Sequence, residues 1–267
     1  MLRVTELARR IVHIPEVLYH WRAIDGSTAA DFDAKPQAFS AAIAALQDHL
    51  DRTGQIGVVE QSASGYYRIR RPVAGNPKVS IIMPTQGGSK AIWGQPTCLA
   101  TNAVRSIVER STYQNFEVVV VHDSSTPERE IYAMHALLGD RFVPLEYPHP
   151  FDFADKTNRG VVRSSGEVVL MLNDDTQVIS PDWIETLLGD LTADDVGMVG
   201  PMLLLADGRV QSAGHYNNST PHNLGAGALP DAGGPFGMFA VAGERTGVTA
   251  ACAALRREVY DEVGGLS

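Results

Sequence analysis

The order of apolar runs in this sequence predicts an α/β fold, a Rossmann-like, mostly parallel sheet with helices on both faces, preceded by a small mixed α+β segment. Three observations carry that reading. From Val79 onward, short continuous apolar runs alternate with stretches of helical periodicity. The runs are apolar at successive positions, as a sheet covered on both sides requires. Polar or acidic residues stand directly after them, where open α/β sheets bind their ligands.

The elements follow in order. An apolar, aromatic segment from Ile11 to Trp21 (IVHIPEVLYHW) leads into a polar loop. Pro36 then opens a helix, because its fixed φ suits a first turn and Phe39, Ile43, Leu46 and Leu50 recur at helical spacing until Gly54. Strand-like runs follow near 56–60 and 66–70. In RRPVAGNPK, two prolines and a glycine mark a linker at 72–78 that separates residues 1–71 from 79–267. Beyond it, VSIIMP (79–84) is a buried-strand pattern, followed by a glycine-rich loop and a helix around 97–110. EVVVVH (117–122), a helix around 127–138, RFVPLEY, a helix near 153–164, EVVLMLN (167–173) and a helix at 181–191 continue the alternation. After residue 195 the pattern loosens. VGMVGPMLLL and RVQSAG read as strands, 214–240 as long loops rich in glycine and proline, and TGVTAACAALRREVYDEVGGLS as a strand and short helix closed by Gly264 and Gly265.

Composition narrows the function. With 22 basic and 31 acidic residues the formal charge is −9, which argues against a nucleic-acid partner held by bulk charge. An anionic ligand needs a local device: backbone N–H groups, a lysine or a bound cation. Cys98 and Cys252 have no neighbours at metal-ligand spacing, so neither a zinc site nor a disulfide framework is expected, and a reduced cytoplasmic setting fits. No apolar stretch reaches the length of a membrane span, so any membrane association, such as one at the inner face, is expected to be peripheral. The sequons at Asn217 and Asn218 are then expected to be accidental.

The strand ends carry the chemistry. Asp174 and Asp175 follow a central strand in LMLNDDT, where adjacent carboxylates repel and lose solvent unless a cation sits beside them. A solvated turn capping the next helix is the plain alternative. In HDSST (122–126), Ser125 or Thr126 is placed to cap the helix opened at Pro127, while Asp123 can also accept hydrogen bonds from a ribose or base. Thr85 lies in MPTQGGSK, which allows close backbone approach to a ligand without matching a P-loop. Lys156 and Arg159, in FDFADKTNRG, can reach a phosphate, and each equally fits a solvated helix face. His215 and His222 read as ordinary loop histidines. No motif of a serine hydrolase or a zinc protease is present.

Taken in order, VSIIMPT, EVVVVHDSST, FDFADKTNRGVVRSSGEVVLMLNDDTQVISPDWIETLL and TGVTAACAALRREVYDEVGGLS resemble the family 2 glycosyltransferases of the GT-A fold, especially bacterial polysaccharide enzymes of rhamnosyltransferase-like type. The resemblance covers about residues 79–267. It implies an inverting, metal-dependent transferase that moves a sugar from a nucleotide diphosphate sugar to a hydroxyl on a glycan or lipid-linked glycan, with Mg²⁺ or Mn²⁺ as cofactor. On it, Thr85 and Asp123 contact the nucleoside, Asp174 lies on the ribose or phosphate side and Asp175 is the metal ligand; Lys156, for its reach toward a phosphate, joins Thr85, Asp123 and Asp174 as an expected nucleotide-sugar-binding residue. Asn173 and His122 stand where relatives often carry acids. The family's general base follows the V-G-G segment and is expected beyond Ser267. Residues 11–22 resemble the tail of a preceding module, whose metal site His20 could join; a half-buried structural role for His20 is the alternative. Two other functions stay open at this level: a non-catalytic nucleotide- or glycan-binding module, and a nucleotidyltransferase.

Overall fold

The computed structural model describes residues 1–20, 22, 24, 37–62, 65–92 and 94–267. They form two compact units, one of residues 1–72 with 240–242 and one of 73–239 with 243–267.

The smaller unit contains α1 (Leu2–Thr5), α2 (Gln37–Thr53) and an antiparallel hairpin of β1 (Val58–Gln61) and β2 (Tyr67–Arg70). The Gln47 amide joins α2 to the hairpin, donating to Gly57 O and accepting from Val59 N–H, each at 3.1 Å. Glu6 Oε1 lies 2.8 Å from Arg52 Nη2 and 2.7 Å from His49 Nδ1. The hydrogen bonds from Arg52 and then His49 lower the Glu6 carboxyl to about 2. Trp21, Pro36 and loop residues 23 and 25–35 between them lie outside the described residues. His20 is exposed rather than half-buried, as are the large apolar side chains Leu7, Ile11, Val12, Ile14, Val17, Leu18 and Tyr19.

In the larger unit the expected alternation is present. β3 (Val79–Thr85) leads through a hairpin of β4 (Ser89–Ile92) and β5 (Gln95–Cys98) to α3 (Leu99–Arg110); β6 (Phe116–Asp123), α4 (Glu128–Leu138), β7 (Phe142–Tyr147), α5 (Phe153–Arg163), β8 (Val168–Leu172) and α6 (Trp183–Asp190) follow. The short strands β9 (Met198–Val199), β10 (Leu203–Leu204), β11 (Val210–Ser212), β12 (His215–Asn218) and β13 (Thr220–Asn223) precede β14 (Cys252–Arg256) and α7 (Arg257–Glu262). The main sheet has six strands in the order β7-β6-β3-β8-β14-β9. The first four are parallel, and β14 runs antiparallel to both of its neighbours.

The period of two along each strand builds a core on either face. Ile81, Met83, Val118, Val120 and Leu170 meet α3, α4 and α6, while Ile82, Val119, Val121, Val169 and Met171 face α5 and α7. Two sequence readings are corrected. The glycine-rich loop after β3 contains the β4–β5 hairpin, and 215–223, read as loop, forms the β12–β13 hairpin. In both, the polar composition hides strands that pair with each other and bury little.

Gly160 controls how close α5 lies to the sheet. A β-carbon there would come within 2.6 Å of Ile82 Cγ2 and 2.9 Å of Val121 Cγ2. Gly160→Val is therefore expected to lower stability by about 1–3 kcal/mol through overpacking, measured by urea unfolding.

At the opposite end of the strands, Glu117 is buried and accepts from Ser80 Oγ at 2.7 Å, Ser165 N–H at 2.7 Å and Lys78 Nζ at 2.5 Å. Burial pushes its carboxyl up, but Lys78, the Ser165 amide and Ser80 together outweigh it and hold the group below its ordinary value. A depressed native pKa adds stability above the ordinary carboxylate range, and that stability is lost as pH falls through the native value. Glu117→Gln should therefore cost about 1–3 kcal/mol near neutrality. The gap to wild type should close in acid, as equilibrium unfolding across pH would report.

Two adjacent arginines brace the far edge. Arg256 Nη1 donates to the carbonyls of Leu191 at 3.0 Å and Val196 at 3.1 Å, and Arg257 Nε donates to Gly166 O at 2.6 Å. Cys98 and Cys252 are both buried free thiols, and burial raises Cys252 to about 12. Among the described residues no helix is long and apolar enough to cross a membrane.

Candidate active site

The carboxyl ends of β3, β6 and β8 converge, because parallel neighbours in register finish side by side. Thr85 closes β3 and is buried. Its Oγ1 donates to Asp174 Oδ2 at 2.6 Å and accepts from Gly87 N–H at 2.9 Å. Asp123 closes β6, and its Oδ1 receives a short hydrogen bond from Lys156 Nζ. The same ammonium donates to Thr85 O at 2.6 Å. One lysine thus ties the ends of two neighbouring strands together.

Lys156 is 0% exposed, so the solvated-face alternative for this residue is overturned. The cause is its place on α5. Lys156, Thr157, Gly160 and Val161 form the buried face, and Gly160, one turn further on, lets that face approach β3 and β6. The lysine lies 4.9 Å from the ring centroid of Phe151 and 5.3 Å from that of Tyr147, over electron-rich faces that favour a cation. Its helical spacing with Gly160 and Val161 is the sequence signal that distinguishes it from Arg159, which instead pairs with Asp155 at 2.9 Å near the surface.

Asp174 and Asp175 occupy a turn after β8. Asn173 N–H donates to Ala251 O at 3.0 Å and Thr176 Oγ1 to Asn173 O at 2.9 Å, which fixes the turn at both ends. Burial raises the Asp174 carboxyl above its ordinary value; the neighbouring Asp175 adds to this, while the Thr85 hydroxyl and Lys156 oppose it. Asp175 itself is exposed. Excess negative charge on hard oxygen donors fits a divalent cation, and a site of one or two carboxylates suits an ion whose other ligands are water and phosphate. Among the described residues no group of three or more His, Cys, Asp or Glu could hold a metal.

The turn after β6 packs on the loop after β3. Thr126 Oγ1 is buried with no hydrogen-bond partner among the described residues, and α4 begins without a side-chain cap, so neither Ser125 nor Thr126 caps it. Gly87, with φ of 70°, packs against Thr126 so tightly that a β-carbon would lie 2.8 Å from Thr126 Cγ2. The loop after β3 therefore lies directly on the turn after β6. His122 Nδ1 is 3.2 Å from Asp123 O and holds no carboxylate.

Sequence reasoning missed Asn158. Its side chain donates to Leu266 O at 2.9 Å and accepts from Leu266 N–H at 2.9 Å and from the Tyr260 hydroxyl at 2.5 Å. It fixes the segment after α7 to the helix that carries Lys156. Glu258, Asp261 and Glu262 on α7 are exposed.

A sheet that gathers a threonine, a buried lysine and a run of acids at its strand ends defines an α/β protein with a polar, acid-bearing ligand crevice. Residues 80–264 match the family described as Glycosyl transferase family 2, and the chain belongs to that family. It is 35% identical over 271 residues to the O-antigen biosynthesis protein RfbC of Myxococcus xanthus, covering 99% of this chain and 20% of that protein. It is 36% identical over 272 residues to the uncharacterized protein y4gI of Sinorhizobium fredii (strain NBRC 101917 / NGR234), covering 97% of this chain and 28% of that protein. The chain thus spans less than a third of the length of these relatives. A solved mannosyltransferase, PcManGT from Pyrobaculum calidifontis in complex with GDP-Man and Mn²⁺, is 18% identical with a TM-score of 0.47, over 87% of this chain and 57% of that one.

Proposed function

We propose that residues 79–267 are the nucleotide-sugar-binding domain of an inverting, metal-dependent polysaccharide glycosyltransferase acting on a glycan or lipid-linked glycan hydroxyl. The observation that supports this most is the connected cluster of Thr85, Asp123, Lys156 and Asp174 at the ends of three parallel strands, with Asp175 exposed beside it. In this reading Asp123 accepts an N–H or O–H of the nucleoside. Thr85 orients Asp174. Lys156 acts as a positioning residue, its charge being used on Asp123 and the end of β3 rather than on a phosphate. Asp174 and Asp175 would hold Mg²⁺ or Mn²⁺, which when bound neutralises charge on a leaving diphosphate.

The base that deprotonates the acceptor is assigned, on the family resemblance, to an acidic residue after the V-G-G segment and outside residues 1–267. Such a base contributes about 10²–10⁴-fold, so residues 1–267 should bind a nucleoside diphosphate yet transfer sugar at least that much more slowly than a longer product carrying it. Comparable rates from the two, in a transfer assay, would reject that assignment. The core reading is tested by calorimetry of UDP, GDP and dTDP with Mn²⁺ and with EDTA. Metal-dependent binding supports it, and equal affinity under both conditions rejects it. Pyrophosphate release from a nucleoside triphosphate would favour a nucleotidyltransferase instead.

A further inference from the structure

A groove of about 790 Å³ lies between the β12–β13 hairpin and the turns at 230–239. Tyr216, His222, Asn223, Pro235, Met238 and Phe239 are among its walls. A cross-strand aromatic pair is part of its lining: the rings of Tyr216 and His222 stack with centroids 5.3 Å apart and planes at 26°. Tyr216 is 46% exposed, so stacking on His222 leaves it with uncovered ring surface.

We propose that this groove binds one sugar ring of the acceptor glycan, an inference that rests on the transferase reading above. The first argument is chemical. None of the described lining residues carries a formal charge, which disfavours a diphosphate and fits a neutral ligand. Aromatic and apolar walls with a few polar groups, here the Asn223 amide, the His222 imidazole and the Tyr216 hydroxyl, suit a ring with one face of C–H bonds and a rim of hydroxyls.

The second argument is position. His215 N–H donates to Gly247 O at 2.8 Å and Thr246 Oγ1 to His215 O at 2.9 Å, so the base of the hairpin is fixed to the strand-ward chain. Four residues later, Ala251 O accepts from Asn173 N–H at the acidic turn, a reach of roughly 14 Å at full extension. The groove is therefore tethered on the side of the sheet where Asp174 and Asp175 stand.

The third argument is preorganisation. Arg245 donates to Ala213 O at 3.2 Å and to Met238 O at 2.6 Å, joining the hairpin side of the groove to the opposite wall. A groove braced from both sides loses little freedom when a ligand enters. The hairpin itself is otherwise poorly supported, since the residues of β13 and most of β12 are exposed and an isolated two-stranded hairpin is marginal in water.

The experiment uses two probes on three variants of the chain. Methyl glycosides of rhamnose, mannose, galactose and glucose report the groove by saturation-transfer NMR, and UDP, GDP and dTDP with Mn²⁺ report the acidic turn by calorimetry. At least one glycoside should bind wild type. Tyr216→Ala should weaken it about tenfold or more while nucleotide affinity stays within about twofold. His222→Ala should act in the same direction, and thermal melting checks that both remain folded. Asp175→Asn should show the converse, losing nucleotide and keeping the glycoside. Binding of none of the glycosides by wild type, or unchanged binding by both folded groove variants, overturns the proposal. Loss of nucleotide binding in Tyr216→Ala also overturns it, because the groove would then serve the donor. Glycoside binding in a wild type that binds no nucleotide rejects the transferase reading on which the acceptor assignment rests.

Discussion

Asp175→Asn is expected to reduce nucleoside diphosphate affinity in Mn²⁺ to the level seen in EDTA, a loss on the order of 10²-fold, or about 2.8 kcal/mol. The substitution keeps shape and removes one of two adjacent anionic oxygen donors, so the effect reads charge rather than packing. Stability should move the other way. Asp175 is exposed and adds to the electrostatic pressure on the half-buried Asp174 carboxyl, so removing its charge in the absence of metal relieves repulsion and should raise the melting temperature slightly. Calorimetry with and without metal, paired with thermal melting in EDTA, separates the two consequences. An undiminished affinity in Mn²⁺ would remove Asp175 from the metal site.

Lys156→Met should be among the most destabilising single changes in the larger unit. Its ammonium is fully buried, and its loss leaves the Asp123 carboxylate, only 20% exposed, without its cation and removes the lysine's hydrogen bond to Thr85 O. Removing one partner of a buried pair typically costs about 3–5 kcal/mol; because Asp123 keeps some water, the lower end is expected. Lys156→Arg should not rescue, since a fully buried, closely packed position has no room for the larger guanidinium. Adding Asp123→Asn to Lys156→Met should recover part of the loss, because the orphaned charge is then gone. Urea unfolding of the two single variants and the double variant measures this. Additive losses would show that the pair is not coupled.

Much of the frame was legible in the primary structure. The runs at 79–84, 117–122 and 167–173 are apolar on both faces, and a chain that buries both faces of a strand has few options other than a covered parallel sheet. That alone placed Thr85, Asp123 and Asp174 at strand ends. The hairpins were harder to read, because SKAI, HYNN and TPHN carry no alternation that burial would impose; their pairing is satisfied by backbone hydrogen bonds between mostly exposed strands.

What the sequence by itself determined is the order and type of the buried elements, since hydrophobic period is a local property that each strand and helix states for itself. Which polar groups meet was decided by tertiary structure. Lys156 became a buried strand-end clamp because Gly160 lets α5 settle on Ile82 and Val121, and the partners it reaches, Thr85 and Asp123, lie 71 and 33 residues away in the chain. Hydrogen bonds and ion pairs act over about 3 Å, so only a folded chain, which sets distance in space independently of separation in sequence, can specify them.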